Sequence, residues 1–497
     1  MTIDFSTPVQ YVYALLPEII LAIWAMAVLL IDVFQKGHKS EPSRSSIAWI
    51  TLAGIIAAAV ANYWLLTLHE ASTTASVPLD HFRIFSNFIF LLAAAFFVLI
   101  STRYLEQENL RLGEIYVLVL LATVGMMAFA GTRDLMVMFI GLEMMSVPIY
   151  VLTGVNRRDL RSAEGALKYF LLGAFSSAFF LFGIALIYGA TATTNLTLIA
   201  TAAGTGNKLL TLGMGMLTVG FAFKVAAVPF HMWTPDAYEG APAPITAFMA
   251  AGVKAAAFAA FMRTFLTAFP GIIGTWGVMI FWLAIITMVA ANLIAVSEIN
   301  VKRMLAYSSI AHAGYLLVAL ASGSTTGAAS FLFYLVVYTI MTMGSFAVVL
   351  AVGRRGEERL GIESYSGIAW QKPLVGIAMT IFLLSLAGFP FTGGFIGKVF
   401  ILQSAVDNGL VPLAVVLVLT SLVSYWYYLR VAWYMWFKEP VAGSSAADID
   451  VGGTMKFALV LAAVLVVLLG VVPGKLLSLA QESASALSQP VNSVGLR

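Results

Sequence analysis

Long apolar runs separated by short polar segments repeat along the whole chain. A membrane-spanning helix needs about 20 mostly apolar residues, and fourteen runs are long enough. They lie near residues 11–34, 47–68, 84–101, 114–130, 135–153, 166–189, 208–240, 243–263, 275–296, 304–321, 329–352, 374–407, 411–437 and 455–474. Because backbone polar groups must pair with one another inside lipid, each run is predicted to be helical. The pattern predicts an all-α integral membrane protein with about 14 transmembrane helices.

Two runs are interrupted by glycine and proline, and their spacing indicates an internal repeat. The break "AAVPFHMW" contains Pro229, and the break "LAGFPFTGGF" contains Pro390, 161 residues later. Runs 4 and 9 begin near Glu114 and Thr275, with the same separation. Five is an odd number of helices, so the second copy must enter from the opposite side of the membrane. We predict two inverted five-helix repeats, helices 4–8 and 9–13, with discontinuous helices 7 and 12; paired interrupted spans mark transport sites.

The alternative interpretation of this spacing is two unrelated kinked helices. With the repeat, the chain divides into four segments. They are an N-terminal three-helix segment (1–110), a first inverted repeat (111–265), a second inverted repeat (266–440) and a C-terminal helix 14 with its tail (441–497).

Composition agrees with a bilayer protein and excludes several kinds of site. The chain is 61% hydrophobic and only 10% charged, whereas soluble domains average about 25% charged residues. With no cysteine, disulfides and thiolate-held iron–sulfur clusters are excluded. A net charge of +3 is too small to indicate a nucleic-acid partner. The first apolar run lacks a basic n-region, so we expect it to remain as a span.

The basic residues between spans predict the orientation, because cytoplasmic loops are enriched in lysine and arginine. One face holds sixteen: Lys36, Lys39, Arg44, Arg103, Arg111, Arg157, Arg158, Arg161, Lys302, Arg303, Arg354, Arg355, Arg359, Lys372, Lys438 and Lys456. The opposite face holds six: Arg83, Arg133, Lys208, Arg263, Lys475 and Arg497. This asymmetry predicts that both termini lie outside.

Lys224 and Glu143 are the first pair of charges expected inside the membrane. Lys224 precedes Pro229 by five residues, and a proline breaks the preceding helical turn and frees its carbonyl groups. A charge at mid-bilayer costs roughly 2.5–3.5 kcal/mol on insertion scales, so its presence indicates a function. Glu143 lies mid-span in "MFIGLEMMSVPIYVL". A pair that separates would be a protonation switch, whereas a fixed pair would only be structural.

Two further lysines lie inside predicted spans. Lys254 is surrounded by alanine and glycine in "FMAAGVKAAAF", and Lys398 follows the second break in "GFPFTGGFIGKVF". A buried lysine without a neutralising neighbour titrates readily. Glu143, Lys224, Lys254 and Lys398 are therefore the candidate proton-carrying groups and are called the axis residues below.

Other polar residues in the spans are secondary candidates. Lys168 lies near the inner end of its span, where it would either extend its ammonium to the membrane surface or pass protons to the Glu143–Lys224 switch. His231 and His312 would either carry protons or be hydrogen-bonded core residues. Tyr307 is a candidate relay hydroxyl. We expect Asp236 and Glu239 to cap a half-helix or attract protons at the inner mouth, and Arg430 to contact aromatic rings.

Recognisable catalytic machinery is absent from the sequence. There is no phosphate-binding glycine loop, no cluster of metal ligands and no nucleophile–base pair. The chain is therefore predicted to move a substrate and not to transform one. A line of ionisable groups at mid-depth would conduct protons between half-channels that open at the two breaks.

Several stretches resemble a known family. "GLEMMSVPIYVL", "SAEGALKYFLLGAFSSAFFLFGIALIYG", "NVKRMLAYSSIAHAGYLL" and "LAGFPFTGGFIGK" closely resemble the antiporter-like subunits of the proton-pumping NADH:quinone oxidoreductase, complex I. The resemblance implies that the axis residues are the charged residues of helices 5, 7, 8 and 12, and that Lys168 and His231 are further positions of the polar axis. It also implies that flavin (FMN) and iron–sulfur clusters are bound by partner subunits, with no cofactor and no metal on this chain.

Within that family the chain is most similar to the subunit N branch. Lysine at 254 and lysine at 398 distinguish it from sibling subunits, and little sequence follows run 14. The resemblance implies a proton-translocating membrane-arm subunit in a bacterial inner membrane, in contact with other membrane-arm subunits, lipids and internal waters. The alternatives are a subunit of a multi-subunit cation/proton antiporter and a hydrogenase-linked pump.

Overall fold

The computed structural model describes residues 2–35, 45–72, 74–108, 110, 112–202, 206–353, 358–440, 449 and 451–487. Seven of the basic residues counted above lie outside these ranges: Lys36, Lys39, Arg44, Arg111, Arg354, Arg355 and Arg497.

Helices make up almost all of the described chain. The first half contains α1 (Pro8–Ala14), α2 (Leu16–Gln35), α3 (Ser45–Trp64), α4 (His81–Gln107), α5 (Leu112–Ala130), α6 (Leu135–Thr153), α7 (Leu160–Thr191), α8 (Leu196–Ala202), α9 (Lys208–Lys224), α10 (Trp233–Gly240), α11 (Ala243–Phe248) and α12 (Lys254–Ala268). A π-helical segment, Met249–Val253, joins α11 to α12. Short 3₁₀ turns lie at Leu65–Thr67 and Pro270–Ile272.

The second half contains α13 (Ile273–Ser297), α14 (Val301–Ala321), α15 (Thr325–Val352), α16 (Ile368–Gln371), α17 (Pro373–Ala387), α18 (Gly393–Asp407), α19 (Val411–Phe437), α20 (Gly453–Val471) and α21 (Gly474–Ser485), with a 3₁₀ turn at Ile362–Tyr365. Strands β1 (Thr2–Ile3) and β2 (His69–Glu70) pair in parallel.

The predicted all-α membrane architecture is confirmed. Twelve helices among the described residues are long and apolar enough to cross a membrane. They coincide with the predicted runs except for 208–240 and 374–407, the two that were predicted to be broken. The inverted relation between the repeats, the exact number of spans and the four-segment division remain predictions.

The first break separates α9 from α10 around Pro229, as predicted. Helix α9 ends at Lys224, and Val225 is its C-cap. Trp233 begins α10 and donates its indole N–H to the carbonyl of Phe223 at 3.0 Å. The chain between the half-helices includes Ala226 with a positive φ of 61°. The Phe223 carbonyl, which also accepts from the Ala226 N–H at 3.1 Å, therefore finds both of its partners within the break.

The second break separates α17 from α18 around Pro390. Gly388 caps α17 in the left-handed conformation, with φ of 88°, a conformation that glycine adopts without steric penalty. Thr392 is the N-cap of α18, and its side chain accepts a hydrogen bond from the Phe395 N–H. At this break both helix ends are therefore capped.

A network of buried ion pairs joins several helices at one end of the bundle. Asp80, the N-cap of α4, accepts two hydrogen bonds from Arg263 at 2.7 and 2.8 Å and lies 3.5 Å from Arg133. Arg133 also pairs with Glu70 at 2.6 Å. Burial of the Asp80 carboxyl opposes its ionisation, but Arg263 and Arg133 outweigh that effect and hold the pKa of Asp80 well below its usual range.

This end is the face that the charge count assigned to the outside. Arg83, Arg133 and Arg263, three of the six basic residues predicted there, all bond within it; Arg83 pairs with Glu18 at 2.6 Å and donates its backbone N–H to Asp80. The first described residues also reach this end through the β1–β2 pair. At the other terminus, Glu482 of α21 lies 3.7 Å from His81. Both ends of the described chain therefore lie on one side.

Candidate functional site

Lys224, the last residue of α9, points into the bundle toward α6. Its side chain is buried, with 2% exposure. The ammonium donates to the Ser146 hydroxyl at 2.8 Å and to the Tyr150 hydroxyl at 3.0 Å. The break that ends α9 thus leaves this lysine at the end of a half-helix, where the negative pole of the helix dipole favours a cation.

Aromatic rings complete the surroundings of the Lys224 ammonium. It lies 5.3 Å from the ring centre of Tyr150, 6.0 Å from that of Tyr169 and 5.8 Å from that of Phe223. Trp233 stacks on Tyr169 at 4.1 Å. Ring faces attract a cation, so neutral groups hold this ammonium.

Glu143 does not pair with Lys224 in this structure, so the ion pair considered from the sequence is open. No ion pair within 4.0 Å joins them; instead the Glu143 carboxylate accepts a hydrogen bond of 2.5 Å from Ser177. Glu143, Ser146 and Tyr150 follow an i, i+3, i+7 pattern along one face of α6. Ser146, the nearer of the two hydroxyl partners along α6, is therefore about one helical turn, or roughly 5 Å along the axis, from Glu143.

Lys254 is fully enclosed at the point where the π-helical segment passes into α12. Its exposure is 1%. The ammonium donates to the carbonyl of Ser309 at 2.9 Å and to the Ser309 hydroxyl. Tyr338 donates to the same hydroxyl at 2.8 Å. The surrounding alanines predicted a lysine without a neutralising neighbour, and its partners in the described chain are indeed uncharged.

His312 lies on α14, one turn beyond Ser309, in a cluster of hydroxyl groups. Its Nδ1 is 2.5 Å from the Tyr334 hydroxyl and its Nε2 is 3.1 Å from the Tyr428 hydroxyl. Tyr428 also shares a hydrogen bond with Ser308. Ser308, His312, Tyr334 and Tyr428 are called the His312 cluster below.

Lys398 lies on α18 and bonds across the second break to the end of α17. Its ammonium donates to the carbonyl oxygens of Leu386 and Ala387, both at 2.9 Å, which are the last carbonyls of α17. It also lies 4.7 Å from the ring centre of Tyr315. Lys398 thus caps the C-terminal end of a half-helix, where a cation is stabilised by the free carbonyls.

A cluster of surface charges connects the second half-helix, α10, to its neighbours α7 and α14. Lys168 of α7 pairs with Asp236 at 2.7 Å and with Glu164 at 2.6 Å. Arg303 of α14 pairs with Asp236 at 3.1 Å and with Glu239 at 2.8 Å. Asp236 and Glu239, expected at the inner mouth, therefore tie α10 to α7 and α14, and Lys168 lies in this cluster.

Three other predicted positions lie apart from the axis residues. His231 is in the link between α9 and α10, and its Nδ1 is buried without a hydrogen-bond partner in the described chain. Tyr307 is one turn after Arg303 on α14. Arg430 was expected to contact aromatic rings; instead, among the described residues, it donates to the carbonyls of Val296 and Glu298, which the end of α13 leaves free.

The hydroxyl groups around Lys224, Lys254 and His312 were missed from the sequence. They belong to α6, α14, α15 and α19 and comprise Ser146, Tyr150, Ser308, Ser309, Tyr334, Tyr338 and Tyr428. A serine or tyrosine in a span is chemically unremarkable on its own. The available signal was the "YSSIAHAGY" stretch of α14, which brings two serines and a histidine onto the central helix.

The chain is similar to known membrane subunits. The family model described as NADH:quinone oxidoreductase/Mrp antiporter, transmembrane, matches residues 132–424. NADH-quinone oxidoreductase subunit N of Trichlorobacter lovleyi is 47% identical over 480 residues, which cover 95% of this chain and 97% of that protein.

Solved structures show the same architecture. A chain of respiratory complex I from Thermus thermophilus has 34% identity and a TM-score of 0.80, covering 94% of this chain and 99% of that one. A chain of the Mrp complex from Dietzia shares the fold, with a TM-score of 0.81 at 24% identity, covering 95% of this chain and 98% of that one. The chain therefore belongs to the NADH:quinone oxidoreductase/Mrp antiporter family of membrane subunits and, within it, to the NADH-quinone oxidoreductase subunit N family.

Proposed function

We propose that this chain carries protons across the membrane along Glu143, Lys224, Lys254 and Lys398 as a membrane-arm subunit of NADH:quinone oxidoreductase. The proposal rests on the observation that all three lysines have only uncharged partners. In the described chain, Lys224, Lys254 and Lys398 are buried, and none has a carboxylate within 4.0 Å. Three mid-membrane charges without ion pairs are too costly to be structural supports.

The sequence of events begins at the open pair. Redox-driven shifts in neighbouring subunits alternately close and open the contact between Glu143 and Lys224. Lys224 then passes its proton to Lys254, from which it reaches Lys398 and the outside. Moving one charge against 100 mV requires about 2.3 kcal/mol, and an ion pair at 4 Å with an effective dielectric constant of 20 is worth about 4 kcal/mol. One switched pair therefore supplies enough free energy.

In the proposed complex, other membrane-arm subunits, lipids and internal waters surround this subunit in a bacterial inner membrane, and both of its termini face the periplasm. Oxidation of NADH and reduction of quinone take place on other subunits, which hold the flavin and the iron–sulfur clusters, so no redox site belongs to this chain. The matched family model also includes Mrp antiporters, and copurification of flavin and iron–sulfur signals distinguishes the two settings.

Replacing Lys224 by alanine tests the proposal. In inverted membrane vesicles that contain the intact complex, we expect proton pumping through this subunit to slow by about 10²-fold or more, as for loss of other proton-transferring groups. Lys208→Ala is the matched control, because Lys208 is the exposed first residue of the same helix, α9. Wild-type pumping and NADH–quinone turnover by a fully assembled Lys224→Ala complex would reject the role of this lysine.

A further inference from the structure

Helix α7 contacts α6 along the stretch that carries Glu143 and the hydroxyl partners of Lys224. Ser177 of α7 donates its hydroxyl to the Glu143 carboxylate at 2.5 Å. One turn before Ser177, Gly173 faces Tyr150: a Cβ added at Gly173 would lie 2.1 Å from the Tyr150 hydroxyl oxygen. Helix α7 therefore binds the carboxylate at one level and leaves room for the tyrosine hydroxyl at the next.

The two hydroxyl oxygens that receive the Lys224 ammonium are held in place by their own contacts. The Ser146 hydroxyl donates to the Leu142 carbonyl of its own helix at 2.5 Å, so its oxygen is free to accept from Lys224 at 2.8 Å. The Tyr150 ring packs edge-on against Tyr169, with ring centres 4.7 Å apart, and its hydroxyl accepts from Lys224 at 3.0 Å. Both oxygens therefore present lone pairs to the ammonium.

A switch needs two states of similar free energy, because a state that is far more stable than the other is seldom left. In the closed state the Glu143 carboxylate and the Lys224 ammonium would attract each other directly, and that attraction is strong in a low-dielectric interior. The open state opposes it with three hydrogen bonds, from Ser177 to the carboxylate and from the ammonium to Ser146 and Tyr150. Hydrogen bonds with one ionised partner are stronger than neutral ones, so these bonds stabilise the separated charges.

We propose that Ser177 and Tyr150 are positioning residues that hold the Glu143–Lys224 pair open, by binding the carboxylate and the ammonium separately. This inference rests on the proposed function and names the groups that stabilise one of its two states. Loss of either hydroxyl makes the closed pair the favoured state, so the pair opens less often and each transfer from Lys224 is delayed. Neither hydroxyl has to carry a proton itself.

Ser177→Ala tests the carboxylate side of the inference. In inverted vesicles that contain the intact complex, we expect proton pumping to fall about tenfold or more, the effect of losing one hydrogen bond to a charged group. Ser176→Ala is the matched control: Ser176 is the preceding residue of α7, is also buried, and has no hydrogen-bond partner for its hydroxyl in the described chain. The control variant should pump like the wild type.

Tyr150→Phe tests the ammonium side, because it removes the hydroxyl and keeps the ring. We expect a loss of pumping of the same size, about tenfold. Tyr116→Phe is its control, since this buried tyrosine of α5 bonds to Thr102 at 3.1 Å and not to an axis residue.

A Glu143→Asp background tests whether Tyr150 acts through the pair. Aspartate is one methylene shorter than glutamate, so the closed pair is weaker and the open state needs less support. We expect the loss caused by Tyr150→Phe to shrink from about tenfold to about twofold in this background, the non-additivity of coupled residues. If Tyr150→Phe fails to assemble, Ser177→Ala in the same background makes the same test.

The outcomes separate this inference from the proposed function. Normal pumping by either assembled variant, Ser177→Ala or Tyr150→Phe, with Lys224→Ala impaired, would overturn the inference and leave the axis intact. An equal loss from Tyr150→Phe with and without Glu143→Asp would also overturn it, because the hydroxyl would then act independently of the pair. Wild-type pumping by assembled Lys224→Ala would overturn both.

Discussion

Lys398 shows how one glycine sets the position of a buried charge. The ammonium reaches the carbonyls of Leu386 and Ala387 across Gly388, which has φ of 88°. A Cβ added at Gly388 would lie 2.9 Å from Cδ of Lys398, closer than real side chains pack. The position of the Lys398 side chain therefore depends on the absence of a side chain at Gly388, the C-cap of α17.

Gly388→Ala is therefore expected to displace Lys398 as well as strain the backbone. A non-glycine residue in the left-handed conformation costs about 1–2 kcal/mol, and the added methyl group pushes the lysine stem away from its carbonyls. We expect lower proton pumping, measured in vesicles, together with a lower unfolding temperature of the complex.

Gly409→Ala separates the two effects. Gly409 has φ of 76°, but its Cβ would meet nothing within 4 Å. Its alanine variant is expected to lose similar stability and to keep normal pumping. Equal pumping by the two variants would show that the position of Lys398 does not matter.

At the residue scale, the sequence identified the charges but not their partners. Lys224, Lys254 and Lys398 stand out because a lysine inside an apolar span is energetically costly and is seldom only structural. Ser309 and Tyr428 do not stand out, because hydroxyl residues occur in many spans and only the packing of α14 against α15 and α19 shows what they contact. The open state of the pair between Glu143 and Lys224 depends on which α6 side chains the ammonium meets, which sequence spacing does not specify.

The half-helix α10 is one of the elements through which the two halves of the protein meet. It follows the Lys224 break, and Asp236 and Glu239 on it bind Arg303 of α14. Helix α14 also carries Ser309 and His312. The ion pairs of Arg303 therefore link the first break to the helix that carries the second part of the route.

Arg303→Gln is expected to loosen α10. Partly exposed ion pairs contribute up to about 1 kcal/mol each, so we expect the amide hydrogens of α10 to exchange roughly five times faster in hydrogen–deuterium exchange. Lys438→Gln removes another cation from the same face without touching α10 and should leave this exchange unchanged. Equal exchange rates in the two variants would mean that Arg303 does not hold α10 in place.

The positions of both breaks were predictable at the element scale. Pro229 and Pro390 interrupt long apolar runs, and a proline that lacks an N–H ends the preceding helix. The π-helical segment before Lys254 was not predictable, because "MAAGV" carries no residue that forbids an ordinary α-helix. The packing of neighbouring helices determines whether this segment is π-helical or α-helical.

The whole molecule was the most predictable scale, since bilayer thickness fixes helix length and lipid excludes unpaired backbone. Two loop arginines that the charge count placed on the same face, Arg133 and Arg263, do meet at one end of the bundle through Asp80. The sequence did not predict that these loop arginines would be buried in a network, nor that β1 and β2 would pair, because both depend on contacts between segments far apart in the chain.

A double replacement in the intact complex tests most directly whether the buried charges form one route. Lys224→Ala, Lys254→Ala and the combined variant are compared for proton pumping in inverted vesicles, after confirming assembly. Groups that act in series on one proton are strongly non-additive, so the double variant should pump no worse than the more impaired single variant. Losses that multiply in the double variant would mean that the two lysines serve separate routes, and would contradict a continuous path from Glu143 to Lys398.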